Sequence, residues 1–260
     1  MNAGARRVLL TALSLAVAGC YSSYNLATQR EEVSFTSTDR EIRMGDGIAK
    51  RVLKELKPVK DEAMQERVRA LGARLAAQSS RQELPYHFYV VKGDEMNAFT
   101  VPGGQIFVNE ALVRFAKGDD ELAAVLAHEI GHTAARHPVK RYESLTTGAI
   151  GQTILAVGAR NAAITQGTNA ILTSLFLAYS REDELLADRL AVGYLRGAGY
   201  DPVGCVRFME RLKQHETPHR RPRSYFRTHP YMAERLSVVR EAIAGKIDFT
   251  GYINRSDDSP

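Results

Sequence analysis

Residues 128–132 have the sequence His-Glu-Ile-Gly-His, which places two imidazoles and a carboxylate within five positions. Side chains four residues apart project from one face of an α-helix, so His128 and His132 could hold one zinc ion between them. Glu129 would lie beside the ion and could take a proton from its bound water. Because zinc lowers the pKa of that water to about 7, the spacing predicts a hydrolytic centre with one Zn²⁺ per chain.

A catalytic zinc site also needs a third protein ligand and an open position. In one known arrangement, a glycine follows the second motif histidine by three residues and a histidine follows it by six. Ala135 and Pro138 occupy those positions here, which excludes that arrangement. His137 is displaced by one residue, or about 100° around a helix. We therefore interpret His137 as a cation at the C-terminal end of the motif helix, where the helix dipole favours positive charge.

The second arrangement takes a glutamate from a later helix, and segment 180–188, Ser-Arg-Glu-Asp-Glu-Leu-Leu-Ala-Asp, provides one. Glu184 and Asp188 are four residues apart and share a helical face. Glu184 could bind the zinc while Asp188 accepts the outer N–H of a ligand histidine and fixes its tautomer. An exposed acidic helix start would explain Glu182 and Asp183. It does not explain well why Glu184 lies next to leucines.

Helices and a small sheet must position these residues. Apolar residues at helical spacing predict helices, and β-branched or aromatic runs predict strands. Pro138 is expected to end the motif helix, because the residue before a proline avoids the helical region. The predicted helices span 40–56, 61–79, about 119–137, 180–197, 202–215 and 231–244, and the predicted strands span 86–91, 97–101 and 105–108, with a turn at 102–104.

Segment 145–179 is apolar and rich in alanine, glycine and threonine. Polar residues interrupt it near its middle, so no run reaches the roughly eighteen apolar residues of a membrane span. We expect two packed helices, or one helix and a mobile loop. Glycines make segment 133–181 flexible, and since it joins two parts of the predicted site it could cover the cleft.

The motifs at 128–132 and 180–188, followed by His229-Pro230 and Arg235, resemble those of the gluzincin metallopeptidases, the family of HtpX, BepA and the CAAX prenyl protease. The resemblance covers roughly residues 41–244, and the chain looks most like the small periplasmic lipoprotein members such as LoiP. It implies an α+β, zincin-like fold that is mostly helical, with a small sheet whose edge strand lines the active-site cleft. Such an edge binds an extended peptide through backbone hydrogen bonds.

The resemblance also implies the metal ligands and the base. By matched position, His128, His132 and Glu184 would bind the zinc and Glu129 would be the general base, with Asp188 supporting a ligand histidine. The implied reaction is hydrolysis of a peptide bond. Zinc would polarise the carbonyl, Glu129 would activate water, and a cation or imidazole would stabilise the oxyanion.

Further positions match the family on either side of these motifs. His229 and Arg235 match catalytic positions associated with transition-state stabilisation or gating. His229 could support the oxyanion in an open state, or take the fourth zinc position in a resting state. It could also be no more than a residue at a helix start. Asn97, Ala98 and Phe99 match the edge strand that receives the substrate backbone.

Residues 1–19 have the layout of a bacterial signal peptide. Two arginines precede an uncharged apolar run, and the run leads into Val-Ala-Gly-Cys, which resembles a lipobox ending at Cys20. We expect cleavage before Cys20 and lipidation of its thiol. Tyr21 stands where an aspartate would retain the protein at the inner membrane, which favours the outer membrane, facing the periplasm. The alternative is a plain signal with an incidental cysteine.

This interpretation divides the chain into four parts. The signal peptide at 1–19 is followed by a polar stretch without periodicity at 20–38, which predicts a lipid-anchored tether. A zinc metallopeptidase domain then covers 39–250, and a flexible tail covers 251–260. Once Cys20 is lipidated, Cys205 is the only cysteine left, so we expect a buried thiol and no intramolecular disulfide.

The composition is that of a soluble globular protein, with 44% hydrophobic and 25% charged residues. It excludes collagen-like, coiled-coil and wholly disordered chains. The formal charge of +5 falls to +3 when the two arginines of the signal are removed, so the charge does not favour a nucleic-acid partner. Basic residues concentrate at 207–227, and a solvated loop explains them better than contact with acidic lipid headgroups or an acidic substrate.

The predicted function is that of a zinc-dependent endopeptidase that cleaves misfolded or misassembled cell-envelope proteins at the periplasmic face of the outer membrane. Its partners would be protein or peptide substrates, the membrane through the lipid on Cys20, and the outer-membrane assembly machinery. The alternative is an outer-membrane assembly or chaperone factor with little proteolysis. The intact Glu129 favours catalysis. A structural lipoprotein with a vestigial site is a third interpretation, which metal analysis would test.

Overall fold

The structure is a computed structural model that describes residues 21–156, 178–215 and 225–245. Within these ranges the chain is mostly helical with two small sheets, which confirms the predicted α+β class. The predicted signal peptide with Cys20, the apolar segment 157–177, the basic residues 216–224 and the tail at 251–260 lie outside the described residues. No described helix has both the length and the apolar character needed to cross a membrane.

The helices and strands are numbered in chain order. The strands are β1 (Tyr21–Asn25), β2 (Arg30–Ser34), β3 (His87–Val91), β4 (Ala98–Val101) and β5 (Gln105–Asn109). The helices are α1 (Thr38–Leu56), α2 (Glu62–Ala76), α3 (Glu110–Phe115), α4 (Gly118–Ala134), α5 (His137–Ala156), α6 (Arg181–Gly197), α7 (Val203–His215), α8 (Tyr225–Thr228) and α9 (Met232–Ile243). The long predicted helices and all three predicted strands are present, whereas β1, β2 and α8 were not predicted.

Strands β3, β5 and β4 form one sheet in that order, with β3 parallel and β4 antiparallel to β5. The turn between β4 and β5 requires glycine, because Gly103 and Gly104 have φ angles of 78° and 81°. On the face toward α1, Phe107 stacks between Tyr89 and Phe99, with ring centroids 5.0 and 5.1 Å apart. The other face packs toward α2 and α4. Because β5 is the central strand, β4 is an edge strand of the described sheet.

Helix α4 lies at the centre of the domain and contains the His-Glu-Ile-Gly-His motif. It is buried continuously from Glu121 to Ala134, between α2, α6, α7 and the sheet. A helix that is apolar on all sides belongs in a core of this kind. Gly131 lets α6 approach closely, since a Cβ atom at this position would lie 2.8 Å from the carbonyl oxygen of Ala187. This contact sets the distance between the two helices that carry the predicted ligands.

The end of the motif helix differs from the prediction. Helix α4 ends at Ala134, Arg136 adopts a left-handed φ of 60°, and α5 begins at His137. Pro138 therefore lies in the first turn of α5, where its missing N–H costs no helical hydrogen bond. His137 is a buried residue at a helix start. Its interpretation as a cation at the C-terminal end of the motif helix is wrong.

Strands β1 and β2 form an antiparallel hairpin over residues 21–34. The Asn25 side-chain amide donates to the carbonyl oxygen of Ala134 at 3.3 Å, and Arg136 donates to the Ser34 hydroxyl at 3.1 Å. From Tyr21 onward, the stretch predicted as a tether is thus part of the domain, which corrects the 20–38 boundary. Apolar periodicity did not reveal the hairpin, because polar groups make these contacts with the domain.

A buried carboxylate joins α1 to the rest of the domain. Glu41 accepts hydrogen bonds from Arg81 Nη1 at 3.0 Å on each of its oxygens, and Arg136 Nη2 lies 3.7 Å from Oε2. All three side chains are buried. These three side chains connect the first helix to the loop after α2 and to the α4–α5 link. Because all of them are buried, each charge depends on the others for its solvation.

Removal of the Glu41 carboxylate should destabilise the domain, because two buried guanidinium groups would lose the buried carboxylate that lies between them, and Arg81 would keep its contact with the half-exposed Glu83. We expect Glu41→Ala to lower the free energy of unfolding by about 3–5 kcal/mol. Glu55→Ala is the matched control, since Glu55 is exposed on the same helix and should change stability by less than about 0.5 kcal/mol. Urea unfolding followed by circular dichroism measures both values. Equal stability of the two variants would show that the cluster contributes nothing.

Candidate metal centre

Four side chains from three parts of the chain meet at the centre of the domain. His128 and His132 come from α4, Glu184 comes from α6, and His229 follows α8. One potential ligand atom from each residue lies within 4.8 Å of the other three. All four side chains are buried. The described structure therefore brings together the three predicted ligands and adds His229 to them.

The two motif histidines face each other across one turn of α4. Their Nε2 atoms are 3.0 Å apart, as the spacing of four residues predicts. Glu184 Oε1 lies 3.4 Å from His132 Nε2, and Glu184 Oε2 lies 3.5 Å from His128 Nε2. The Ser180 capping box starts α6 four residues before Glu184 and so fixes where this carboxylate lies along the helix axis.

Asp188 and Arg235 lie behind His128, on the side away from the ligand cluster. Asp188 Oδ1 is 2.8 Å from His128 Nδ1, which leaves His128 Nε2 free to face the other ligands. Arg235 donates from Nε to Asp188 Oδ2 at 2.7 Å and from Nη2 to Oδ1 at 2.8 Å. Its Nη1 lies 2.8 Å from Glu184 Oε2. Arg235 therefore holds the two buried carboxylates of α6, Glu184 and Asp188, in place.

Arg235 was predicted as a catalytic residue, and in the structure its contacts are with the two buried acids of α6 behind His128. Its guanidinium is fully buried and also donates to the carbonyl oxygen of His229 at 3.2 Å. Burial raises the pKa of Asp188, but the charge of Arg235 and its hydrogen bond lower it more, so that the pKa falls below its usual value. Asp188 is thus held ionised beside His128.

His229 occupies the side of the cluster that faces the edge strand. Its Nδ1 lies 3.0 Å from Glu184 Oε1 and 3.3 Å from His128 Nε2. Its Nε2 lies 3.4 Å from both Glu129 Oε1 and the carbonyl oxygen of Ala98. Because these contacts place the ring among the ligand atoms, His229 is more than a residue at a helix start.

The segment from Tyr225 to His229 covers the cluster. The Tyr225 ring stacks on the His229 ring with centroids 4.2 Å apart. The Thr228 hydroxyl donates to Asn97 Oδ1 at 3.1 Å, and the Thr228 carbonyl accepts from the Tyr179 backbone at 3.3 Å. These contacts link the covering segment to both the edge strand and the residues that precede α6.

A comparison with protein families decides what this arrangement is. The model of peptidase family M48 matches residues 62–243, which includes every residue of the cluster. The chain belongs to peptidase family M48. Its matched segment is a metallopeptidase domain, which confirms the resemblance inferred from the motifs.

Several curated relatives share this domain. The beta-barrel assembly-enhancing protease of Escherichia coli strain K12 is 31% identical over 216 residues, which cover 80% of this chain and 44% of the relative. The mitochondrial metalloendopeptidase OMA1 of Schizosaccharomyces pombe is 31% identical over 169 residues, or 65% of this chain and 50% of the relative. Metalloprotease LoiP of E. coli K12 is 29% identical over 163 residues, or 62% and 64%. The chain spans less than half the length of the first of these relatives.

The donor set of the M48 cluster fits a divalent metal ion such as zinc. Imidazole nitrogens and a carboxylate oxygen are the groups that zinc binds in catalytic sites. Both oxygens of Glu129 are buried without a hydrogen-bond partner among the described residues, which is costly unless a cation or a ligand lies nearby. Three buried carboxylates, of Glu129, Glu184 and Asp188, face one buried guanidinium in this part of the described structure.

The pKa values show the same excess of negative charge. Burial and the Arg235 charge lower the pKa of His128, but Asp188 and Glu184 together raise it to about 9. Burial also raises the pKa of Glu129. A cation held among these groups would compensate the excess of carboxylate charge.

The three predicted substrate-binding residues are placed differently from one another. Asn97 and Ala98 lie at the cluster, since Asn97 contacts Thr228 and the Ala98 carbonyl faces His229. Phe99 pairs with Phe107 of β5, and its ring packs against α1 on the far face of the sheet. The Phe99 side chain therefore does not face the cluster. Thr100 was not among the predicted residues, and alternation along an antiparallel strand turns its peptide groups outward, as for Ala98.

His137 is the main site residue that the sequence interpretation missed. Its Nδ1 lies 2.8 Å from His132 Nδ1, and its Nε2 lies 3.1 Å from Asp183 Oδ1. His132 therefore has an outer partner, as His128 has Asp188. Burial lowers the pKa of His137 well below its usual value, so the ring is neutral. A histidine followed by proline, just after the motif helix, was the available signal, since proline is common in the first turn of a helix.

Loss of the His137 ring should weaken metal binding without removing a ligand, because His132 would lose the partner that fixes its tautomer. We expect His137→Phe to lower metal affinity by about 10–100-fold. His87→Phe is the control, since His87 is an exposed histidine on β3. Competition with a chromogenic zinc chelator measures both variants. If His137→Phe retains zinc as tightly as the control, His137 does not support the site.

Proposed function

We propose that the protein is a zinc-dependent endopeptidase that acts on proteins of the bacterial cell envelope. The observation that supports this best is the buried cluster of two motif histidines and Glu184, beside Glu129, whose oxygens have no hydrogen-bond partner among the described residues. By this proposal His128, His132 and Glu184 hold one zinc ion. Three protein ligands and one further position are the usual arrangement of a catalytic zinc site.

The residues around the metal position divide the work of peptide hydrolysis. Zinc, when bound, supplies a polarising charge and lowers the pKa of a bound water. Glu129 accepts a proton from the attacking water and returns it to the leaving amine, which its unpaired oxygens allow. Arg235 and Asp188 keep His128 in the tautomer that presents Nε2 to the cluster. The buried site keeps bulk water away from these charges.

We propose that substrate adds to the outer edge of β4. The Ala98 carbonyl already faces the cluster, and Thr100 lies two residues further along the same edge. A peptide bound there as an added strand would run past Glu129 with its backbone paired to β4. Recognition through the backbone suits an enzyme that accepts unfolded segments of many sequences.

His229 must leave the cluster before a substrate can enter. In the described structure its ring contacts Glu129, Glu184 and His128 at once, and α8 covers it. We propose that this is a resting state in which His229 takes the fourth metal position. This arrangement would restrain proteolysis. An assembly or chaperone factor, the alternative function, would also need restrained proteolysis, because it holds client proteins without cleaving them.

The proposed location follows from the N-terminal sequence. Residues 1–19 would be removed as a signal peptide, and Cys20 would be lipidated at the periplasmic face of the outer membrane. One relative is named as a beta-barrel assembly-enhancing protease, which supports a role near outer-membrane protein assembly. The catalytic domain would extend from the hairpin that begins at Tyr21 to residue 250, with the tail 251–260 beyond it.

The general base can be tested apart from the ligands. Glu129→Gln should retain zinc and fold, but lose peptidase activity by about 10²–10⁴-fold or more, because it removes the proton acceptor. Glu184→Ala should instead lose zinc as well as activity. Zinc content by atomic absorption and cleavage of unfolded casein distinguish the two variants. Cleavage by Glu129→Gln at the wild-type rate would refute this mechanism.

The gating role predicts a gain of activity. His229→Ala should raise basal cleavage of unfolded casein several-fold, because the ring no longer fills the metal position. His87→Ala, at an exposed histidine, is the control. A fall in activity with zinc retained would assign His229 to transition-state support instead. An unchanged rate and an unchanged spectrum of the cobalt-substituted enzyme would exclude both roles.

The anchor is tested at Cys20. Cys20→Ala should release the protein from the membrane fraction into the periplasm, since two or three acyl chains would be lost. Cys205→Ala, at the buried thiol, is the control and should stay with membranes. Fractionation with immunoblotting measures the distribution, and mass spectrometry of the N-terminal peptide reports acylation. Firm membrane association of both variants would contradict a lipid anchor.

A further inference from the structure

The β1–β2 hairpin has its polar face toward the protein and its apolar face toward solvent. Hairpins that pack on a domain normally bury their apolar side. Of the six large apolar side chains that are exposed in the described part of the chain, four belong to residues 24–35. They are Tyr24 at 59%, Leu26 at 65%, Val33 at 69% and Phe35 at 47% exposure.

The register shows that these four residues share one face. Tyr24 pairs with Glu31 and Ser22 pairs with Val33, so alternate residues of the two strands point the same way. Leu26 and Phe35 continue the same alternation beyond the strand ends. Ser22 and Glu31 complete this face and hydrogen-bond to each other at 3.4 Å. We call the set of Tyr24, Leu26, Val33 and Phe35 the outer apolar face.

Polar contacts on the opposite side hold the hairpin in this orientation. The Ser34 hydroxyl donates to Glu143 at 2.7 Å, and Lys140 pairs with Glu32 at 2.7 Å. With the bonds from Asn25 to Ala134 and from Arg136 to Ser34, they tie the hairpin to the end of α4 and the start of α5. Rotation that buried the outer apolar face would break these bonds and leave buried polar groups unpaired.

The position of Cys20 indicates what covers this face. Cys20 directly precedes Tyr21, the first residue of β1, and Tyr21 pairs with Ser34. Val33 and Phe35 therefore lie at the hairpin end next to Cys20. At about 3.3 Å per residue, Tyr24 is no more than about 13 Å from Cys20 along the strand. An acyl chain on Cys20 would thus bring the bilayer surface to the hairpin itself, with no linker between.

We propose that the outer apolar face inserts into the interfacial region of the phospholipid bilayer that receives the Cys20 acyl chains. This rests on the lipid anchor of the proposed function and adds a second contact that the anchor alone does not supply. Aromatic residues such as Tyr24 and Phe35 favour the membrane–water interface. Ser22 and Glu31 stay at headgroup depth, where water solvates them.

Docking through a rigid hairpin orients the catalytic domain. The hairpin is bonded to Ala134, the last residue of the metal-bearing helix, and to Arg136, which precedes His137. Membrane contact therefore fixes the height and tilt of α4 above the bilayer. The cleft is thereby held at a set distance from the membrane surface, where envelope proteins insert. Its substrates would be unfolded segments that lie close to the bilayer.

Tryptophan fluorescence tests this contact directly, because the chain contains no tryptophan. The full chain with Tyr24→Trp is produced with its native N-terminus and reconstituted in vesicles of phosphatidylethanolamine and phosphatidylglycerol. We expect its emission to shift to the blue and to be quenched by lipids brominated on the acyl chain. Tyr231→Trp is the matched control, at a tyrosine that is 44% exposed outside the hairpin, and should be unaffected.

A second measurement removes the acyl chains. In a chain that begins at residue 20 and carries Cys20→Ser, both the acyl chains and the apolar run of the signal peptide are absent, so the hairpin alone drives binding to the same vesicles. Leu26→Ser with Val33→Ser should weaken this partitioning at least about tenfold, since the loss of one buried aliphatic side chain corresponds to about that factor. Val203→Ser, at an exposed valine on α7, is the control. Unchanged zinc content in all variants shows that they are folded.

The outcomes separate the docking face from the anchor. If Cys20 is acylated and the Tyr24→Trp protein sediments with vesicles, but its indole is not quenched, the docking proposal is wrong and the anchor stands. If Cys20 is not acylated and the Cys20→Ser chain still binds through Leu26 and Val33, the docking face stands without the anchor. Blue-shifted emission of Tyr24→Trp before lipid is added would overturn the proposal. If that shift depends on protein concentration, the outer apolar face is covered by a second copy of the chain. If it does not, the face is covered by another segment of the same chain.

Discussion

Negative charge buried at the centre of the domain is the constraint on which the site depends. Glu129, Glu184 and Asp188 lie in one dry region, where an uncompensated carboxylate costs several kcal/mol. Arg235 neutralises part of this charge by bonding to two of the three acids. A metal ion held by the histidines and Glu184 would supply the rest. Helix α9 brings Arg235 behind the site, and the close contact at Gly131 brings α6 and its acids next to α4.

The same burial explains why the site is closed in this structure. His229 places an imidazole among the ligand atoms, and the stacked Tyr225 ring covers it from the side of α7. Hydrolysis of a polypeptide needs access to Glu129 and to the edge of β4, so α8 must move. This four-residue helix is held by the hydrogen bond from Thr228 to Asn97, by the bond between the Tyr179 and Thr228 backbones and by the buried Tyr225 ring. Substrate that pairs with β4 would replace those bonds.

The break between α4 and α5 connects the site to the N-terminal hairpin. Arg136 donates to Ser34 of the hairpin and lies near Glu41, while the next residue, His137, contacts His132. Two adjacent residues thus join the outer surface of the domain to the metal centre. A hairpin with an exposed apolar face is unfavourable in water, and contact with a bilayer would remove that cost. The position of the hairpin relative to α4 then relates the cleft to the membrane.

The sequence alone determined the chemistry of the site, because spacings of four residues within helices fix which side chains share a face. His128, His132 and Glu184 followed from that rule and from the packing of Glu184 among leucines. Tertiary structure alone decided the positions of His137, Thr100 and the outward-facing hairpin. His137 reaches His132 only through a left-handed Arg136, and the hairpin is held by polar bonds to residues about a hundred positions away. Such contacts leave no periodic signal, because they depend on which surfaces the folded chain brings together.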